Sequence, residues 1–314
     1  MTPKEPAPPK QGPKLPRPHG KALTAFLKID PSTQGMMLAA AAGFTFAMLN
    51  TVMRQMSLEM SAAQALFLRY GFGLLVLLPV VLQQGLGKYK TNAMGLQLTR
   101  GMIHSLGLLL WITALPHLPL PYTTALGFTQ PIFIMLGAAL FLGEKMHVVR
   151  WIAAGLGFLG VLIIVGPRMQ TADLHYSLVM LSSAPVFAGS FLLAKALTRH
   201  DAPTVIVVWQ ALTVTVFTLP LALLDWTNPT PQQWLWFLLT GCLGSLGHWF
   251  LTRAYAVADI STAQPVKFLD LVWASVLSYF VFSDIPSPTT FAGGAVIVAA
   301  TFWIARHERR ARRA

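Results

Sequence analysis

Beyond position 33 the chain settles into a repeating pattern: a long apolar run, a short polar gap, then another run. Ten such runs lie at 34–52, 62–82, 93–114, 122–142, 148–165, 176–194, 204–224, 234–253, 260–282 and 289–305. Each is close to the ~20 residues that a helix needs to cross a bilayer. The gaps carry turn residues, charges or both. In lipid a segment must satisfy its own backbone groups, so each run is predicted to be a helix. The pattern therefore predicts an all-α membrane protein with ten transmembrane helices.

The runs also echo one another. Sliding the chain by 140 residues puts Gly101 on Gly241, Ser105-Leu106-Gly107 on Ser245-Leu246-Gly247, Phe128 on Phe268, Glu144 on Asp284 and Trp151 on Phe291. Sliding it by 141 puts Arg54 on Lys195 and Leu78-Pro79 on Leu219-Pro220. Self-similarity at a fixed long period is the mark of a duplicated unit. Each unit holds five spans. Five is odd, so the halves enter the membrane from opposite sides, giving two inverted five-helix repeats of the kind secondary transporters use for alternating access. The expected organisation is a disordered, basic, Pro-rich tail at 1–33, a first repeat at 34–167, a second at 176–305 and a basic tail at 306–314. A cleaved signal peptide is the competing reading of the start, but 33 residues are too long for its charged leader.

Composition agrees. Residues are 54% hydrophobic and only 11% charged, with mean hydropathy +0.58, against about 25% charged in soluble domains. The net charge of +12 comes from tails and gaps rather than from a solvated basic face, so no nucleic-acid partner is expected. With the N-terminus inside, 18 of the 23 Lys and Arg fall on the inner side and only Arg54 and Arg168 on the outer. This places both termini in the cytoplasm of an inner-membrane protein. Trp226, Trp234, Trp236 and Tyr176 sit near predicted outer boundaries. The single cysteine, Cys242, allows no internal disulfide and no C-x-x-C metal site. No phosphate-binding loop of the G-x-x-x-x-G-K-[ST] type is present, so ATP is not the direct driver. H-E-x-x-H and G-x-S-x-G are also missing, which argues against an enzyme. An intramembrane enzyme and a non-transporting receptor or scaffold stand as the alternatives to a transporter; exchange of labelled solute across liposomes separates them. No cofactor or metal is implied.

The run ALPHLPLPYTTALGFTQPIFIMLGAALFLGE at 114–144, the Arg150-Trp151 step, GLGFLGVLIIVGP at 155–167 and Leu68-Arg69-Tyr70 resemble the EamA family of the drug/metabolite transporter superfamily. The resemblance covers roughly 35–305. It implies ten helices in two repeats, a central cavity lined chiefly by helices 1, 3, 4, 6, 8 and 9, and a small organic solute as substrate. Ser283-Asp284 departs from the Gly143-Glu144 step of the first repeat.

Asp270 is the acid deepest within a segment, roughly 15 Å in at 1.5 Å per residue, with Lys267 one turn earlier on the same face. Charges at that depth cost about 2.5–3.5 kcal/mol or more each, so they pair or face water. The two are read as a substrate-binding or proton-coupling pair, or as a structural ion pair. His104 lies near the middle of the third run and His248 on the eighth; histidine can shuttle protons or bind a carboxylate near neutral pH. Arg69 is either a cavity charge or a structural partner of neighbouring groups. Arg100, nearer a segment end, is expected to snorkel to the interface. Gln130-Pro131 and Gln264-Pro265 are candidate helix interruptions, a feature that points to transporter binding sites. Asn50, Trp111, Tyr122, Gln130, Gln210, Trp249, Gln264 and Trp273 complete the set of candidate cavity groups. Gly155, Gly157, Gly160, Gly293 and Gly294 predict close helix contact and offer a homodimer face. The expected partners are a small organic solute and the lipid bilayer.

Overall fold

The computed structural model describes residues 29–56, 59–114, 117–118, 126–165, 174–282 and 287–311. Most of the expected N-terminal tail, Tyr122, Arg168 and the Ser283-Asp284 loop lie outside them. Eleven α-helices are present among the described residues. They are α1 (Pro31–Met56), α2 (Ala62–Gln84), α3 (Met94–Ala114), α4 (Gln130–Leu142), α5 (Val148–Val165), α6 (Leu174–Leu197), α7 (Pro203–Leu224), α8 (Pro231–Val257), α9 (Ile260–Lys267), α10 (Leu269–Phe282) and α11 (Pro288–Ala311). Each apolar run contains a helix, and the ninth contains two. Helices α1, α2, α6, α7, α8 and α11 contain stretches long and apolar enough to cross a membrane, and α4 and α5 are shorter apolar helices. This is an integral, multi-pass membrane protein.

Local chemistry sets the helix ends. Thr230 and Gln233 cap α8 reciprocally: Thr230 Oγ1 accepts from the Gln233 amide at 3.3 Å, and Gln233 Oε1 accepts from the Thr230 amide at 2.8 Å. Pro231 fills the next position, where its missing N–H costs nothing. At the other extreme, α4 ends on Gly143 at φ +67°, and the Glu144 amide reaches back to the Ala138 carbonyl at 3.1 Å. That left-handed turn favours a residue without Cβ.

Packing is pairwise. Helix α1 lies along α8, α3 along α6, α2 against α7 and α5 against α11. The α5–α11 contact is the glycine-mediated one. A methyl at Gly160 would come within 2.8 Å of the Gly293 carbonyl and 2.6 Å of Ile297. Without hydrophobic drive between helices in lipid, such close approach is what holds them together. Gly157 instead accommodates Phe268, while Gly155 and Gly294 face open space.

Two expectations change. Arg100 does not snorkel. It is 1% exposed, wedged between α3 and α7, where its guanidinium donates to the Ile206 carbonyl at 3.3 Å and to Gln210 Oε1 at 2.5 Å. A backbone carbonyl and an amide oxygen one turn apart on α7 satisfy it better than a long reach to the surface. Gln130-Pro131 is not an interruption within a helix. It begins α4, with Pro131 in the first turn. The interruption comes just before, at Phe128–Thr129, where the Thr129 amide and hydroxyl both donate to the Leu126 carbonyl. In the ninth run Pro265 lies inside α9 and removes one ladder donor. The helix stops at Lys267, turns at Phe268 and restarts at Leu269. Phe268 is fully buried against Gly157 and stacks on Phe128, with ring centroids 5.6 Å apart.

Candidate functional site

The middle of the bundle holds a linked set of polar and aromatic side chains contributed by α1, α2, α3, α6, α8 and the α9–α10 turn. The Tyr70 hydroxyl lies 3.0 Å from His104 Nε2 and 3.5 Å from His248 Nε2. On its other side the His104 ring meets Ser190 Oγ at 3.1 Å. All four residues are buried, so the network replaces the water these groups would otherwise need. Phe46 of α1 stands edge-on to His248 at 5.0 Å, and Phe187 and Phe191 of α6 flank His104 at 5.4 and 6.1 Å.

The charged pair continues this line. Lys267 Nζ sits 5.9 Å from the ring centroids of both Phe46 and Phe191, a cation–π arrangement. It pairs with Asp270 Oδ2 at 3.5 Å. The ion pair spans the Phe268 turn, so the break in the helix is tied across by opposite charges. Their side chains are 16% and 25% exposed, in contrast to the sealed Arg100. The second carboxylate oxygen of Asp270 has no hydrogen-bond partner, and neither does Trp273 Nε1 one turn on. Opposite them α1 carries Gly43, where any Cβ would overlap the Asp270 carboxylate. Trp273 meets Phe44 edge-on at 5.5 Å. Both unpartnered atoms, an acceptor and a donor on one helical face, are buried.

A narrow cleft of about 10 Å³, room for about one water, lies between α2, α7 and α8, lined by Arg69, Tyr70, Gln210, Gly244 and His248 among others. Arg69 holds its guanidinium carbon 4.7 Å from the Tyr70 ring centroid.

At the bundle end where α4 meets α5 and α8 meets α9, a second polar cluster ties the segments together. Glu144 accepts from the amides of Ile260 and Ser261 at 2.9 and 3.1 Å and from Ser261 Oγ at 2.6 Å. A carboxylate at the start of α9 also complements the helix dipole. Arg150 donates to Ser261 Oγ at 2.7 Å and pairs with Asp259 at 3.3 Å. Lys195 caps the last turn of α8, donating to the carbonyls of Tyr255 and Ala258 at 2.7 and 2.6 Å.

The structure thus gathers His104, His248, Lys267, Asp270 and Trp273 along one path, with Arg69 and Gln210 beside it. Other candidates fall elsewhere. Trp111 packs on Ala114, Leu118 and Met180. Trp249 packs on Phe250. Asn50 is exposed on α1 and Gln130 half-buried at the head of α4. Gln264 is fully buried, and its amide nitrogen donates to the Ile260 carbonyl of its own helix at 2.8 Å. Sequence reasoning passed over Tyr70, Ser190, Phe46 and Phe191. Tyr70 was visible within the Leu68-Arg69-Tyr70 step. A serine or phenylalanine in an apolar run carries no such signal.

The chain was compared with known proteins. The model of the EamA-like transporter family matches twice, over residues 33–166 and 175–306. A riboflavin transporter of Rhizobium johnstonii is 34% identical, covering 91% of this chain and 96% of its own. A riboflavin transporter of Vibrio cholerae is 32% identical, covering 88% and 94%. A pseudopaline exporter of Pseudomonas aeruginosa is 29% identical, covering 90% and 99%. A solved crystal structure shares the fold with a TM-score of 0.74 at 16% identity, covering 90% of this chain and 99% of that one.

Proposed function

The chain belongs to the EamA-like transporter family and is a small-metabolite transporter; from that premise we propose that its solute is a flat heteroaromatic metabolite, with riboflavin the first to test. The observation that carries this is the central path itself. Aromatic edges from Phe46, Phe191 and Trp273 alternate with the polar groups of Tyr70, His104, His248, Lys267 and Asp270. Such a lining stacks on a ring and bonds its heteroatoms. Two relatives named as riboflavin transporters, each aligned over almost the whole chain, favour the same solute.

In this reading the halves 34–167 and 176–305 are inverted repeats. Three features support it: the twofold family match, the reciprocal packing of α1 on α8 and α3 on α6, and turns at Phe128 and Phe268, which the 140-residue shift superposes. Both termini are assigned to the cytoplasm, supported by the Lys and Arg distribution. The Glu144–Arg150–Asp259–Ser261 cluster then closes the cytoplasmic end, and alternating access requires it to part. Asp270 is the coupling candidate, with one carboxylate oxygen buried beside Gly43 and without a hydrogen-bond partner.

The test is counterflow in proteoliposomes. Vesicles loaded with unlabelled riboflavin should accumulate labelled riboflavin transiently and saturably. Uptake no greater than in protein-free liposomes rejects riboflavin as the solute.

A further inference from the structure

At the bundle end assigned to the cytoplasm, a cavity of about 520 Å³ lies on the seam between residues of the two proposed halves. Lys145 and His147, between α4 and α5, line it from the first half. Lys195, Thr198 and Arg199, at and just past the end of α6, line it from the second. A cavity of this size accommodates a small metabolite. Glu144 and Asp259 also belong to its wall, so the balance of charge decides what it can hold.

Both carboxylates are already engaged. Glu144 Oε1 accepts from the Ile260 amide, and Oε2 accepts from the Ser261 amide and hydroxyl. Asp259 is held by the buried Arg150 at 3.3 Å. The cations of the cavity are not neutralised in the same way. Lys195 donates to two uncharged carbonyls, and the charge of Arg199 acts on it. The Lys145 and Arg199 side chains are exposed and have no ion-pair or hydrogen-bond partner among the described residues. Lys145, Arg150, Lys195 and Arg199 thus stand in and behind the wall against only Glu144 and Asp259. Membrane sidedness asks only that an inner loop be basic. It does not ask that basic side chains from both halves share one cavity. The repeat sharpens the point: the 140-residue shift puts Lys145 on Ile285, and the 141-residue shift puts Leu58 on Arg199. The corresponding positions of the other half therefore lack both free charges.

We propose that this cavity binds a phosphate-bearing anion. Lys145 and Arg199 supply the two free cations, one from each half, and together they match a phosphate monoester, which carries about −1.5 to −2 at pH 7. An anion bonded to both bridges the seam. It favours the closed cytoplasmic end, because that state brings the two cations to one cavity, and a ligand shifts a protein toward the state it binds better. A phosphate ester inside the cell then acts as a brake on exchange. That consequence rests on the transporter reading; the binding site does not depend on which solute is carried. A soluble ester and a lipid headgroup share the chemistry, and the test separates them.

The experiment is thermal unfolding of the full-length protein in a neutral detergent. The additions are ribose 5-phosphate, ribose in sodium chloride of matched ionic strength, and phosphatidic acid in mixed micelles. Ribose 5-phosphate should raise the melting temperature and ribose should not. Lys145→Gln combined with Arg199→Gln should need at least about tenfold more ribose 5-phosphate for the same shift, because charge-assisted bonds are lost. Its melting temperature without ligand should match wild type; if the double variant fails to fold, Arg199→Gln alone is read, with a loss of at least about threefold expected. Stabilisation by phosphatidic acid alone, lost in the same variant, assigns the phosphate to a lipid headgroup and upholds the site. No stabilisation by either phosphate compound, or equal stabilisation of wild type and variant, overturns it. In counterflow, ribose 5-phosphate on both sides of the membrane should slow riboflavin exchange by wild type and leave the variant unchanged. Unslowed exchange at a concentration that saturates the thermal shift overturns the brake. If wild type exchanges no riboflavin, the solute assignment has failed, and the thermal shift still decides the site.

Discussion

The fourth and ninth apolar segments break at the same place and carry different chemistry. One turns at Phe128–Thr129 and the other at Phe268, and the two phenylalanines stack on each other. Around the first turn stand Gly127 and Gln130; at the matching places around the second stand Lys267 and Asp270. A break that recurs in both copies serves the mechanics of the bundle, because both halves need it. A charge pair found in only one serves something the halves do not share. In a transporter that is recognition or coupling. Arg100 shows that depth alone does not mark a functional charge. It is 1% exposed, with a carbonyl and an amide partner for two of its three nitrogens and only Nε left without one. The Lys267–Asp270 pair is partly exposed and leaves one oxygen unpartnered.

Substitutions can test this division. The largest effect is expected where the mechanics lie. Phe268 is fully buried against Met135, Ala154, Val161 and Ile297, so Phe268→Ala should cost about 3–5 kcal/mol, read as a lowered melting temperature in detergent. Phe128 is only half-buried, and Phe128→Ala should cost less than about half of that. Equal losses would mean that the two turns are anchored alike. Next comes the exchange of chemistry. Lys267→Gly together with Asp270→Gln gives the second turn the residues of the first. Riboflavin counterflow should fall about 10–100-fold, the worth of a hydrogen bond to a charged group, while the protein still melts cooperatively. A smaller loss, about tenfold, is expected for Gly43→Ala, whose methyl displaces the Asp270 carboxylate. The smallest effect belongs to the first turn. Nothing lies within 4 Å of a Cβ at Gly127, and Gly127→Ala and Gln130→Ala should each leave counterflow within about twofold. A Gln130→Ala loss as large as the exchange at the second turn would erase the functional asymmetry.

Much of this was legible in the sequence, for identifiable reasons. Apolar runs of bilayer length announce helices because lipid offers the backbone no other partner, and every run contains one. The spacing of Lys267 and Asp270 announced their pairing, since helical residues three apart share a face. The matching of Phe128 with Phe268 was visible too, but not that both would sit on turns. That depends on Pro265 removing a donor and on Gly157 leaving room for a ring from another helix. Arg100 was misjudged because its partners, Ile206 and Gln210, lie more than 100 residues away. For the same reason nothing local marked Ser190 or Phe46. Their role comes from who faces them, and tertiary contact alone decides that.

The central claim is that Asp270 lies on the transport path and links solute movement to its driving gradient. The direct test is accumulation of labelled riboflavin by proteoliposomes under an imposed proton gradient, with wild type and Asp270→Asn reconstituted at equal density. The account predicts concentrative uptake by wild type that collapses when the gradient is dissipated, and no concentrative uptake by Asp270→Asn at an unchanged melting temperature. Accumulation by Asp270→Asn to the wild-type level, with the same dependence on the gradient, would contradict it.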